Sequence, residues 1–218
     1  MAHWNGQGVE SHMNIDVQKM HWDINIGIGF IGFTVRKRDA IAAGIRWFEK
    51  EWNKKLIGPV PSHTFVVAGP DATIEAFGNG VGHGTLTAYL NDPDVALLIR
   101  RPTQWTAAMG RRIADEASKH VGHRYGRWLI FGMAVSNSFL GLALNKLTRG
   151  AFGRKVRQWT DEAEAEVCSE VVALSMKAQP ELDRRGQLVW PARDATPYNL
   201  FKDQSVFEPW NCAVELVD

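Results

Sequence analysis

A chain of 218 residues with formal net charge +1, 45 % hydrophobic and 22 % charged, is long enough for one well-buried core and ordinary in composition for a soluble globular protein. Two cysteines at this length exclude a disulfide framework, so Cys168 and Cys212 are read as thiols in a reducing compartment. No N-terminal stretch has the charged, then apolar, then small-residue layout of a secretory signal, and a cytoplasmic or phage- and lysis-associated setting is expected.

Residues 1–12 read as a disordered leader or cloning remnant, Met13 is a candidate start, and 13–218 is taken as one domain. Alternation over 23–28 predicts a first strand. Ile41, Ile45, Phe48 and Trp52 at helical spacing predict an amphipathic helix over 38–52. Residues 62–68 and 73–77 read as two strands joined by the turn at 69–72, most simply a hairpin. Four glycines in 78–84 predict a flexible loop. The apolar run 95–99 is expected to be a central strand. A helix follows over 103–120 with Thr103 as N-cap, then a helix or helix pair over 128–146, a helix over 167–177 and a Pro-containing tail with a short turn at Thr196. Strands segregated from helices give an α+β fold with an antiparallel sheet packed against helices.

Charge is uneven. Residues 100–157 carry twelve Lys and Arg against Asp115 and Glu116, whereas 161–170 hold five acids and no base. A basic surface of this kind either aids solubility or attracts an anionic polymer or lipid surface; nucleic acid is not the expected partner. Within it, 128–147 is apolar but broken by Ser136, Asn137 and Ser138, which fits a buried or membrane-touching helix better than a span. The nine tryptophans are expected mostly in the core, with some lining a groove.

Cys168, in Cys168-Ser169-Glu170 before an apolar run, is either a small buried apolar residue or a nucleophile. A helix start near Glu166 would place its sulfur where the dipole and free N–H groups stabilise a thiolate and an oxyanion; a helix begun at Thr160 would not. A thiol nucleophile needs a base, and imidazole serves best at neutral pH. His63 stands out because it opens an otherwise apolar strand, where a polar ring needs partners. His120 and His123, as His-x-x-His without a third ligand, are weak metal evidence. Glu75, on the strand hairpinned to that of His63, is either a solvent-face acid or the carboxylate that orients the ring, depending on a register the sequence does not fix.

The ordered set Trp22-Asp23-Ile24, Ser62-His63, Ile74-Glu75-Ala76, Gly122-x-x-Tyr125, Cys168-Ser169-Glu170 and Thr196-Pro197 resembles the circularly permuted, NlpC-like papain-fold amidases, the YiiX-like group, over about 22–197. The resemblance implies a permuted papain-like fold and hydrolysis of an amide bond in a peptidoglycan-type peptide or related small amide. It assigns Cys168 as nucleophile, His63 as base and Glu75 as orienter, with Tyr125 near the substrate or oxyanion, and it calls for no cofactor and no metal. Gly126 stands where the family commonly has Asp.

Three competitors share the sequence. Relatives of the lecithin retinol acyltransferase kind act on lipids, and the apolar stretch flanked by Arg124, Arg127, Lys146 and Arg149 suits them. Gly27-x-Gly29-x-x-Gly32 matches a dinucleotide-binding fingerprint as a pattern, which requires a strand before it and a helix after it. A catalytically dead binding module would leave Cys168 no more reactive than Cys212.

Overall fold

The computed structural model describes residues 15–19, 21–36, 60–77, 80–125, 165–166, 168–209 and 211–215, with backbone alone at 15–19, 36, 124–125, 165–166 and 211–215. Its strands are β1 (Ile15–Lys19), β2 (Ile31–Arg36), β3 (His63–Gly69), β4 (Ala72–Phe77), β5 (Gly80–Gly84), β6 (Val95–Arg100), β7 (Arg124–Tyr125), β8 (Ala165–Glu166) and β9 (Asn211–Glu215). Its α-helices are α1 (Leu86–Leu90), α2 (Ala107–Ser118), α3 (Cys168–Lys177) and α4 (Pro197–Phe201). One sheet has the order β1-β9-β6-β2-β3-β4-β5, antiparallel throughout except that β1 runs parallel to β9. β7 and β8 form a separate parallel pair. The expected α+β class with an antiparallel sheet against helices is what the chain adopts.

Alternation along the strands buries both faces of this sheet. On one face Ile31, Phe33, Val66, Ile74, Ala76 and Leu98 pack with Met109 and Ile113 of α2 and Val171, Val172 and Met176 of α3. On the other, Phe65, Val67, Leu97 and Ile99 pack with Phe30, Leu86, Tyr89 and Trp105. α2 is tied to the turn that follows α3 by Arg112, whose Nε donates to Gln179 Oε1 at 3.0 Å while its Nη2 meets Glu181 at 2.5 Å. Backbone meets backbone where α2 crosses the entry to β2: a Cβ at Gly29 (φ +76°) would fall 2.4 Å from the Gly110 Cα, and one at Gly110 2.1 Å from the Ile28 oxygen.

Several expectations are corrected. The alternating 23–28 segment is a turn closed by N–H groups of Ile24, Asn25 and Ile26 on the His21 oxygen; the strand begins instead at Ile31. The glycine-rich 78–84 segment carries β5, paired with β4 from Phe77↔Gly80 to Thr73↔Gly84. Thr103 does not cap a helix, because its N–H donates to the Val206 oxygen as Pro102 bridges to Phe207; the cap is Thr106, accepting from Met109 N. The turn at Thr196 is a short helix, α4, with Thr196 as N-cap and Pro197 in its first turn. The helices expected over 38–52 and 128–146 lie outside the described residues.

Arg100 is also not part of a basic surface. It is 1 % exposed, donates to the backbone oxygens of Phe201 and Glu208, and stacks its guanidinium on Phe201 and Phe207, fastening the tail to the sheet. Arg101, Arg112 and Lys119 are paired with Glu208, Glu181 and Glu116. Among the described residues no helix is long and apolar enough to cross a membrane.

Candidate active site

His63 is the first residue of β3, and the register Val66↔Ile74 and Val67↔Thr73 decides where it looks. Residues directly opposite share a face, so His63, Phe65 and Val67 lie on the same face as Thr73, Glu75 and Phe77. The result is a hydrogen bond of 2.7 Å between His63 Nε2 and Glu75 Oε2. With Nε2 occupied by Glu75, Nδ1 is the nitrogen left for the Cys168 sulfur, with which His63 interacts.

Cys168 reaches the same place from the opposite side of the sheet. It is the first residue of α3, so the helix begins at the cysteine and the sulfur sits at the positive end of the dipole. The first turn of α3 is tied to the tail by Ser169, whose Oγ donates to the Ala195 oxygen at 2.7 Å just before the α4 cap. His63 is the first residue of β3, and besides its ring the backbone N–H groups of Thr64 and Ser169 interact with the sulfur. Cys168 is 5 % exposed, as core cysteines commonly are. Core cysteines do not, however, converge with an imidazole, two N–H donors and a carboxylate.

The electrostatics follow from these contacts. Burial pushes the Cys168 thiol up, but the charge and hydrogen bond of His63 and the N–H groups of Thr64 and Ser169 together hold it below its ordinary value. Burial alone would lower the His63 value; the Cys168 thiolate and Glu75 overcome it and raise it to about 9. Burial raises Glu75, and its bonds to His63, Tyr89 and Thr73 more than compensate, keeping it ionised. The contacts therefore favour the thiolate and imidazolium forms of the pair.

Glu75 is held more fully than a two-residue contact requires. Its Oε1 accepts from Thr73 Oγ1 at 2.9 Å, and its Oε2 accepts from the Tyr89 hydroxyl of α1. Gly84, opposite Thr73 on β5, leaves the carboxylate its space: a Cβ there would lie 1.9 Å from Glu75 Oε1. Phe77, 61 % exposed, sets its ring edge-on to His63 with centroids 5.8 Å apart and forms an open apolar wall beside the imidazole.

The structure thus brings Cys168, His63 and Glu75 together. Tyr125 is placed by backbone only, paired with Glu166 two residues before Cys168, and its side chain lies outside the described atoms. Tyr89, Thr73 and Gly84 escaped sequence reasoning; the one available signal was a threonine two residues before Glu75 on the same strand face. Gly27 and Gly29 precede β2 and Gly32 lies within it, so these glycines lead into a strand rather than opening a helix, and the dinucleotide pattern lacks its required context. His120 and His123 contact each other edge-on, and among the described residues no group of three or more His, Cys, Asp or Glu could hold a metal. Comparison with protein-family models, curated proteins and solved structures finds no match for this chain.

Proposed function

We propose that the protein is a cysteine hydrolase that cleaves an amide bond through a thioester, with a permuted papain-like arrangement of its α+β fold. The observation that carries this reading is the chain of contacts from Glu75 through His63 to a sulfur at the start of a helix. In the first half-reaction the Cys168 thiolate adds to the substrate carbonyl carbon, and the carbonyl π electrons move to oxygen, which the N–H groups at the start of α3 stabilise. The oxygen lone pair then re-forms the carbonyl as the C–N bond breaks, and the His63 imidazolium gives its Nδ1 proton to the departing amine. In the second half-reaction neutral His63 takes a proton from water, whose oxygen attacks the thioester, and the C–S bond electrons return to sulfur. Glu75 holds the ring and supports its charge without itself accepting the proton.

The resemblance to NlpC-like amidases points to a peptidoglycan-type peptide or related small amide as substrate. The test is labelling with an iodoacetamide probe, followed by a screen of peptidoglycan fragments and lipid esters. Labelling is expected at Cys168 at neutral pH in the folded protein, and Cys168→Ala should abolish turnover while preserving the thermal transition. If Cys168 alkylates no faster than an unfolded thiol, the hydrolase assignment fails; turnover of lipid esters alone would move the substrate to the acyltransferase kind.

A further inference from the structure

We infer that Tyr89 is a positioning residue for the nucleophile's base: through Glu75 it fixes the orientation of His63 and thereby keeps Cys168 reactive. The inference deepens the hydrolase proposal and rests on it. α1 is only Leu86–Leu90, too short to be stable alone, yet it is fixed at three points. Thr85 caps it, accepting from Ala88 N. Thr87 donates both its N–H and its hydroxyl to Asp71 Oδ1 at 2.8 Å each, anchoring the helix to the turn between β3 and β4. Leu86 is fully buried among Phe65, Val67, Leu97 and Ile99.

The tyrosine ring itself is set by Phe65. The two rings stack with centroids 4.9 Å apart and planes 6° apart. Phe65 lies flat because Gly32, its partner on β2, offers no side chain: a Cβ there would fall 2.2 Å from the ring. Stacking fixes the ring plane, and the phenol then donates to Glu75 Oε2, the same oxygen that meets His63 Nε2. With Thr73 on Oε1, the carboxylate is gripped at both oxygens and cannot swing away from the imidazole.

Tyr89→Phe tests this while keeping the stack. The readout is the pH profile of Cys168 alkylation by iodoacetamide, with Cys168→Ala as the background to subtract. The titratable groups facing Glu75 are His63, Tyr89 and, through His63, Cys168. Tyr89→Phe is expected to move the inflection up by about one pH unit, as fits loss of one hydrogen bond to a charged group. In a Glu75→Ala background the same substitution should leave the inflection where it is. A profile for Tyr89→Phe that superposes on a low wild-type inflection overturns the role of Tyr89 alone, as does an equal shift in the Glu75→Ala background. An ordinary wild-type inflection overturns the active-site reading and the inference with it.

Discussion

The charge state of Cys168 is the most direct consequence of the geometry. At 5 % exposure the sulfur is out of reach of bulk solvation, so burial favours the neutral thiol, and the thiolate depends on its neighbours. His63 supplies the largest of the opposing effects; the Thr64 and Ser169 N–H groups are secondary. His63→Gln fills the space with a neutral amide and removes the charge. The thiol should then rise to or above the ordinary cysteine value of about 8.5, at which about 3 % is ionised at pH 7. Ionised sulfur would thus become a small minority at pH 7, less than in the wild type. Rate at a single pH understates this, because a more basic thiolate is also more nucleophilic, with a Brønsted coefficient of about 0.4–0.5. The assay is therefore ultraviolet titration of the thiolate alongside the pH profile of alkylation, with Cys168→Ala subtracted to remove Cys212. An unchanged inflection in His63→Gln, or a wild-type inflection already at the ordinary thiol value, would refute the ion-pair reasoning.

Other outcomes follow from the same contacts. Turnover should fall as pH rises through about 9, where His63 loses the proton it must give to the leaving amine; on the acid side it should fall only below the depressed thiol value, where sulfur is protonated. Glu75→Gln should lower kcat less than loss of Cys168 or His63, and Gly84→Ala should reproduce the deficit without substituting a triad residue, because its Cβ displaces Glu75 Oε1; wild-type turnover in Gly84→Ala would remove that contact from the site. Gly32→Ala drives a methyl into the Phe65 ring, an overpacking expected to cost about 1–3 kcal/mol, or several degrees in thermal midpoint for a chain of this size. A calorimetric transition unchanged from wild type would show that Phe65 has somewhere else to go.

Much of the site was legible because its chemistry-bearing residues break the patterns of their own elements. A histidine opening the apolar β3 and a glutamate within the apolar β4 are out of place unless they meet, and the short turn at 69–72 made a hairpin the simplest way for them to do so. The register that sets both on one face could not be read, since a slip of one residue would have separated them. Elements set by distant partners were misread. β5 looked like a loop because glycine weakens strands, yet Gly84 is what the Glu75 carboxylate requires. The alternation at 23–28 is equally compatible with the closed turn that His21 makes. Thr103 and Thr106 both have a cap's chemistry, and only the bridge from Pro102 to Phe207 excludes the first. α1 carries no helical periodicity of its own; its existence depends on Asp71 and Phe65.

The three central groups also constrain one another. Each is penalised by burial in its charged form, and each has its ionised state restored by the others: sulfur by imidazolium, imidazolium by sulfur and carboxylate, carboxylate by imidazolium and two hydroxyls. Such groups titrate as a unit, so single substitutions should not add. Removing Glu75 after His63 should change sulfur ionisation little, because the carboxylate acts on the thiol only through the ring that is already gone. A double variant, His63→Gln with Glu75→Gln, is expected to match His63→Gln alone in the thiolate titration. Strict additivity would mean that Glu75 reaches the sulfur by some other route, and the linear order of carboxylate, imidazole and thiolate would be wrong.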